Sequence, residues 1–186
     1  MKRLKLGDIL AFQTDRGYRI FHWAYNVPKK GKYIRVMPGF YQTIPNNLND
    51  IVSGECAFII WADINWYYKN GLFILVGHEE VSNETYPFPE YQILLKYVDP
   101  DDDHYAFFEF NHIYHNEWET CRSDPFGNGF PEEFKDLKLL NLRCSPFLMM
   151  TLLSSDFDTH NWHKFDMSSK KDYYEKLYGH LLKKEH

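Results

Sequence analysis

Short apolar runs separated by glycine-bearing turns dominate the first half of the chain. Gly7-Asp8 launches the run Ile9-Leu10-Ala11-Phe12. Asn70-Gly71 opens a second run, Leu72-Phe73-Ile74-Leu75-Val76, which stops at Gly77. Apolar runs of this length between turn residues read as buried strands rather than helices. Residues 8–14 and 18–25 flank Asp15-Arg16-Gly17, a turn that predicts a β-hairpin. A second turn at Lys29-Lys30-Gly31-Lys32 precedes a strand over residues 33–37. Further strands are predicted over 57–61 and 71–76, with Ile9, Ala11, Phe58, Ile60, Phe73 and Leu75 mostly buried. Pro38-Gly39 and Pro45-Asn46-Asn47 mark an irregular crossing, and residues 65–70 lead into the 71–76 strand. Tyr86-Pro87-Phe88-Pro89 is excluded from a central strand, because each proline lacks a ladder donor. Strand candidates continue over 91–98 and 105–114, on either side of a polar turn at Asp99-Pro100-Asp101-Asp102-Asp103.

The second half changes character. Pro131-Glu132-Glu133-Phe134 places proline and acids where the first turn of a helix prefers them, predicting a short helix that ends near Lys138. Residues 147–153 fit helix or strand, and periodicity does not decide. Ser169-Lys170-Lys171-Asp172 approximates a capping box. After it Tyr173, Tyr174, Leu177, Tyr178, Leu181 and Leu182 recur at helical spacing, although Gly179 weakens that helix by roughly 1 kcal/mol relative to alanine. There is no internal repeat, low-complexity stretch or linker. The expected architecture is a single α+β domain over residues 1–186. Its N-terminal half is mainly an antiparallel β-sheet or partial barrel, packed by C-terminal helices.

Composition narrows the classes of partner. The 186 residues are 18% aromatic, which suits strands and large interfaces. The formal net charge of −5 argues against a nucleic-acid ligand, since phosphate neutralisation needs clustered Lys and Arg. The basic clusters are the Lys29–Lys32 turn, Lys170-Lys171 and Lys183-Lys184. Gly7-Asp8 interrupts the basic N-terminus before the apolar core of a signal peptide forms, and no apolar run approaches the ~20 residues of a membrane span. Cys56, Cys121 and Cys144 are odd in number and lack metal-type spacing. Reduced thiols in a cytoplasm are the expectation, with no membrane partner and no cofactor.

Two segments carry a family resemblance. Leu4-Lys5-Leu6-Gly7-Asp8-Ile9-Leu10-Ala11, completed by Gly17-Tyr18, resembles the start of the bacterial immunity protein 26 family, where Gly-Asp leads into an apolar strand and a glycine-containing hairpin. Gly71-Leu-Phe-Ile-Leu-Val-Gly77-His78, then Pro87 and Pro89-Glu90-Tyr91, resembles a later stretch of that family. There a glycine, an aromatic, an apolar pair and another glycine precede a proline-bearing segment. The resemblance spans roughly residues 4–95. His22-Trp23-Ala24 departs from the small, glycine-containing segment that the family places at the end of the first hairpin. The resemblance implies a mostly β immunity protein of a polymorphic toxin system. Such an antitoxin binds a cognate toxin in the cytoplasm and blocks it. No catalytic residues carry over.

The residues themselves offer several candidate chemistries, each beside a plainer reading. Asp99, Asp101, Asp102 and Asp103 are a solvated loop, an acidic patch that steers a basic toxin, or a cation site lacking identified further ligands. His104, His112 and His115 lie near Glu117 and Glu119, but on a strand residues 112 and 115 face opposite ways, which suits no single metal. His160 and His163 with Asp156 and Asp158 form a second loose group. Cys121-Arg122 lacks a histidine partner that would mark a nucleophile, and Gly127-Asn128-Gly129 lacks the Lys-Ser/Thr of a phosphate loop. Trp61, Trp66, Tyr67 and Tyr68 are core residues or, if exposed, interface hot spots. The expected function is non-enzymatic toxin neutralisation, with Asp101, Asp102, Asp103, Trp66, Tyr67 and Tyr68 as candidate toxin contacts. The alternative is a small β-barrel module binding another cellular ligand, such as single-stranded nucleic acid on an aromatic face. A hydrolase or metalloenzyme would rest only on the loose His/Asp groups.

Overall fold

A computed structural model describes residues 2–82, 86–89, 91–95, 106–112, 118–123, 139–140, 146–156 and 171–182. The first hairpin is β1 (Asp8–Thr14) and β2 (Gly17–Val27), followed by β3 (Gly31–Val36). A one-and-a-half-turn helix α1 (Leu48–Ser53) occupies the crossing to β4 (Phe58–Trp61). A second short helix α2 (Ile64–Lys69) leads to β5 (Phe73–His78). Beyond these come β6 (Tyr91–Leu95), β7 (Ala106–His112), β8 (Trp118–Ser123), the two-residue β9 (Leu139–Leu140), α3 (Pro146–Leu153) and α4 (Lys171–Leu182).

These strands form one sheet in the order β5-β1-β2-β3-β4-β9-β6-β7-β8. The first five are antiparallel throughout. β9 joins the two halves by parallel pairing to both β4 and β6. The class is α+β, with the antiparallel five-strand sheet in the N-terminal half. The turns at residues 15–16 and 28–30 close the hairpins that their residues announce. Pairing of Thr14 with Gly17 sets the register that places Leu10 opposite Phe21 and Ala11 opposite Ile20.

Both faces of this sheet are covered, which explains why β1 reads as a continuous apolar run rather than an alternating one. Leu10 and Phe12 point into one core with Phe21, Ile34, Phe58 and Ile60, roofed by Tyr67, Met149, Met150, Leu152, Leu153 and Tyr174 from the helices α2, α3 and α4. Ile9 and Ala11 point into the other, with Ile20, Tyr25, Tyr33, Ile59 and Val52 of α1, and with Tyr86. Each large side chain so buried stabilises the fold by roughly 1.5–3 kcal/mol. A β-bulge at Ala24, between Trp23 and Tyr25, turns two successive residues to the same face, and Ala24 and Tyr25 share the second core.

Several expectations need correcting. Leu75 is only half-buried, unlike Ile9, Ala11, Phe58, Ile60 and Phe73. β5 stands at the end of the strand order, so part of its apolar surface lacks cover. Gly77 does not stop that strand; it pairs with Ile9 across a bulge, close under the Leu48 side chain. The lead-in over residues 65–70 is instead mostly the helix Ile64–Lys69, whose N-cap Asp63 accepts the Trp66 N–H at 3.3 Å. The crossing after Pro45-Asn46-Asn47 also contains a helix, and β8 is a strand that the sequence pattern did not mark. Residues 147–153 are helical. Met149 to Ser154 are all buried, and a helix buried all round carries no amphipathic signal for periodicity to find. The short helix expected near Pro131 lies outside the described residues. No helix among those described is long and apolar enough to cross a membrane.

Candidate functional site

The expected aromatic surface divides when folded. Tyr67 is buried and its ring stacks on Phe73 at 4.6 Å between centroids, 17° from parallel. It is a core residue. Trp66 and Tyr68, on the neighbouring faces of α2, are half-buried and pack at the margin of that core. Trp61, the last residue of β4, is 37% exposed. Its indole lies against the tip of the β2–β3 hairpin, where a Cβ on Gly31 would meet Trp61 Nε1 at 2.5 Å. Gly31 has φ +110°, which independently demands glycine. The hairpin tip also presents exposed Lys29 and Lys30, while Lys32 Nζ sits 4.7 Å from the Trp23 ring centroid. An exposed tryptophan with lysines at its border thus emerges where β3 begins and β4 ends, with Trp66 and Tyr68 on the helix that follows.

Most other candidates are not brought together by the described residues. Asp99, Asp101, Asp102, Asp103, His104, His115 and Glu117 lie outside them, as do Gly127-Asn128-Gly129, Cys144, Asp158, His160 and His163. His112 ends β7 and pairs with Tyr91, whereas Glu119 pairs with Phe110 and Cys121 with Phe108. Cys56 is buried in the second core. Asp156 forms an ion pair with Arg16 at 2.5 Å, at the surface. Among the described residues, no group of three or more His, Cys, Asp and Glu side chains is placed to hold a metal.

A polar joint that the sequence reading missed lies under the two resemblance segments. Asp8 and His78 are cross-strand partners of β1 and β5. His78 Nδ1 donates to Asp8 Oδ1 at 3.0 Å, and the Lys5 N–H donates to Asp8 Oδ2 at 2.8 Å. The Asp8 side chain is fully buried, so both carboxylate oxygens need these donors. Beside it the Glu79 N–H donates to the Gly7 carbonyl at 2.9 Å. His22, buried on β2, donates Nε2–H to the Glu79 carbonyl at 3.2 Å and stands edge-on to Tyr86, 5.5 Å between centroids. Its Nδ1 makes no hydrogen bond of good geometry among the described residues. Burial pushes the His22 imidazole down to about 4 against the pull of the Glu79 carbonyl, and nearby Arg35 depresses it further. At neutral pH the ring is therefore uncharged. Arg35 donates to the Val52 and Gly54 carbonyls, both at 2.6 Å, and stacks on Tyr86 at 4.2 Å. Burial also raises the Tyr25 phenol to about 12. Every member of this joint ties one strand or helix to another: β1 to β5, β2 to the segment after β5, and β3 to α1. The only sequence signal for it was an aspartate and a histidine inside apolar strands.

No family model matches the chain, and neither a curated protein nor a solved structure matches it.

Proposed function

We propose that this chain is a non-enzymatic immunity protein of a polymorphic toxin system, which neutralises a cognate toxin in the cytoplasm by stoichiometric binding. The observation that carries the reading is the union of the two resemblance segments. Gly7-Asp8 and Gly77-His78 are far apart in sequence yet form one hydrogen-bonded joint between adjacent strands. The resemblance thus falls on a single architectural unit of the sheet rather than on unrelated turns. The finer scaffold belongs to this reading: an N-terminal sheet curved as a partial barrel, with the C-terminal helices packed on it. Trp61, Trp66 and Tyr68 supply aromatic contact area, the residue types in which interface binding energy concentrates. The acidic Asp101-Asp102-Asp103 run attracts a basic toxin at long range, acting on the association rate more than on dissociation.

The test is co-expression with a toxin encoded beside this gene, followed by binding kinetics at two salt concentrations. Protection of the cells with a one-to-one complex is the expected result; no protection and no complex refutes it. Changing the three aspartates to asparagine should slow association and flatten its salt dependence. Protection with unchanged kinetics would instead place the interface on the aromatic surface near Trp61 and Trp66. A second reading, a module for single-stranded nucleic acid, has one observation in its favour: Trp61 stands beside the lysines of the hairpin tip. The net charge of −5 opposes it, and oligonucleotide binding in the absence of any toxin would establish it.

A further inference from the structure

The β1–β2 hairpin holds a buried cation that its surroundings answer incompletely. Arg19 is the cross-strand neighbour of Phe12 on the face that α3 and α4 cover, and it is 1% exposed. Of the five N–H donors on a guanidinium, one makes a hydrogen bond among the described residues, from Nη1 to the Gly39 carbonyl at 3.3 Å. Nε is buried with no hydrogen-bond partner among the described residues. The Arg19 guanidinium lies 4.8 Å from the centroid of the Phe40 ring, and that of Arg16 lies 4.2 Å from the same centroid. Arg16, half-exposed, donates to Asp156 Oδ2 at 2.5 Å. Burial lowers Arg19 only to about 10, so it remains charged at neutral pH.

We propose that Arg16 and Arg19 form a receptor for a phosphate-type oxyanion, and that Asp156 is its internal competitor. The Asp156 carboxylate already occupies the outer cation, which shows that an oxyanion fits there, but it makes no ion pair with Arg19 among the described residues. A tetrahedral oxyanion offers acceptors in more directions than a carboxylate, and arginine donors match its geometry. By displacing Asp156 it engages Arg16 and supplies an acceptor for Arg19 Nε–H, while a like charge leaves the cluster. This inference is independent of toxin neutralisation.

The test is isothermal titration and thermal unfolding of the full chain with inorganic phosphate, glycerol phosphate and acetate at matched ionic strength. Saturable binding of phosphate, with acetate much weaker, is expected. Tighter binding of glycerol phosphate would make a phosphate monoester the ligand, and tighter binding of the free ion would make it phosphate itself. Arg19→Met should abolish the phosphate-dependent rise in unfolding temperature without lowering the midpoint in its absence, because it removes a poorly partnered buried charge. Arg16→Gln, on the exposed side, decides the matter if Arg19→Met does not fold: it should weaken phosphate binding about tenfold. Asp156→Asn should tighten it. No saturable binding by the wild type, an undiminished response in Arg19→Met, or unchanged affinity in Arg16→Gln overturns the proposal.

Discussion

Asp8 and His22 are charged or chargeable residues on strands that are otherwise apolar, and each is tolerated for a different reason. Asp8 is satisfied by accepting two hydrogen bonds, from Lys5 N–H and His78 Nδ1. His22 is tolerated because it is neutral. Unfolded, it titrates near its ordinary 6.5; folded, burial lowers it to about 4. Between those values the unfolded chain binds the additional proton, so stability falls as pH drops from 6.5 towards 4. Above 6.5 His22 contributes no slope. The shift corresponds to roughly 3 kcal/mol. Urea unfolding at pH 7 and pH 4.5 should show that His22→Leu removes much of this fall; an unchanged fall would assign acid sensitivity to other groups. The aromatic residues separate in the same manner. Tyr67→Ala should cost about 3–5 kcal/mol, since it empties the stack on Phe73. Trp61→Ala should shift stability far less and weaken binding of the proposed toxin partner. Denaturant midpoints beside affinities check both, and a large stability loss in Trp61→Ala would make its ring structural.

Elements in this chain are held by contacts outside their own sequence. α1 is six residues long and has no side-chain N-cap, too short to persist alone in water. Arg35 of β3 holds it from below through the Val52 and Gly54 carbonyls. Arg35→Met should therefore cost about 2–4 kcal/mol, because two acceptors near the core lose charged donors. Amide exchange in α1 should speed up more than in β1. Uniform acceleration would instead mean that α1 opens only with the whole domain. The β2–β3 hairpin depends likewise on a remote side chain, as Trp61 leaves no room for a Cβ at position 31. Gly31→Ala should destabilise by about 1–3 kcal/mol through strain at positive φ as well as this collision, which thermal unfolding would register. The hairpins themselves were readable from Asp15-Arg16-Gly17 and Lys29-Lys30-Gly31-Lys32, because turn chemistry acts between near neighbours.

At the scale of the molecule, one sheet separates two cores, and alternate residues of each strand supply them in turn. A cavity on either face therefore loosens the same strands. Leu153→Ala on the helical face and Ile59→Ala on the other should each lower stability by about 2–5 kcal/mol. Circular dichroism and tryptophan fluorescence should still report one coincident transition; separate transitions would mean that the two cores unfold independently. The sequence by itself determined the strands of the N-terminal half, most of their buried residues and the turns between them. Those features follow from apolar runs and turn residues that interact over a few positions. Tertiary structure alone decided that residues 147–153 are helical, since a segment covered on every side leaves no stripe to read. It decided that Leu75 is half-covered, because only the strand order shows that β5 stands at an edge. It also decided that Tyr67 is core while its near neighbour Trp61 is surface. Asp8 found His78 on the adjacent strand, 70 residues along the chain, and Arg16 found Asp156, 140 residues along it. Burial and pairing of such groups depend on which distant segments arrive beside them, and no local pattern carries that information.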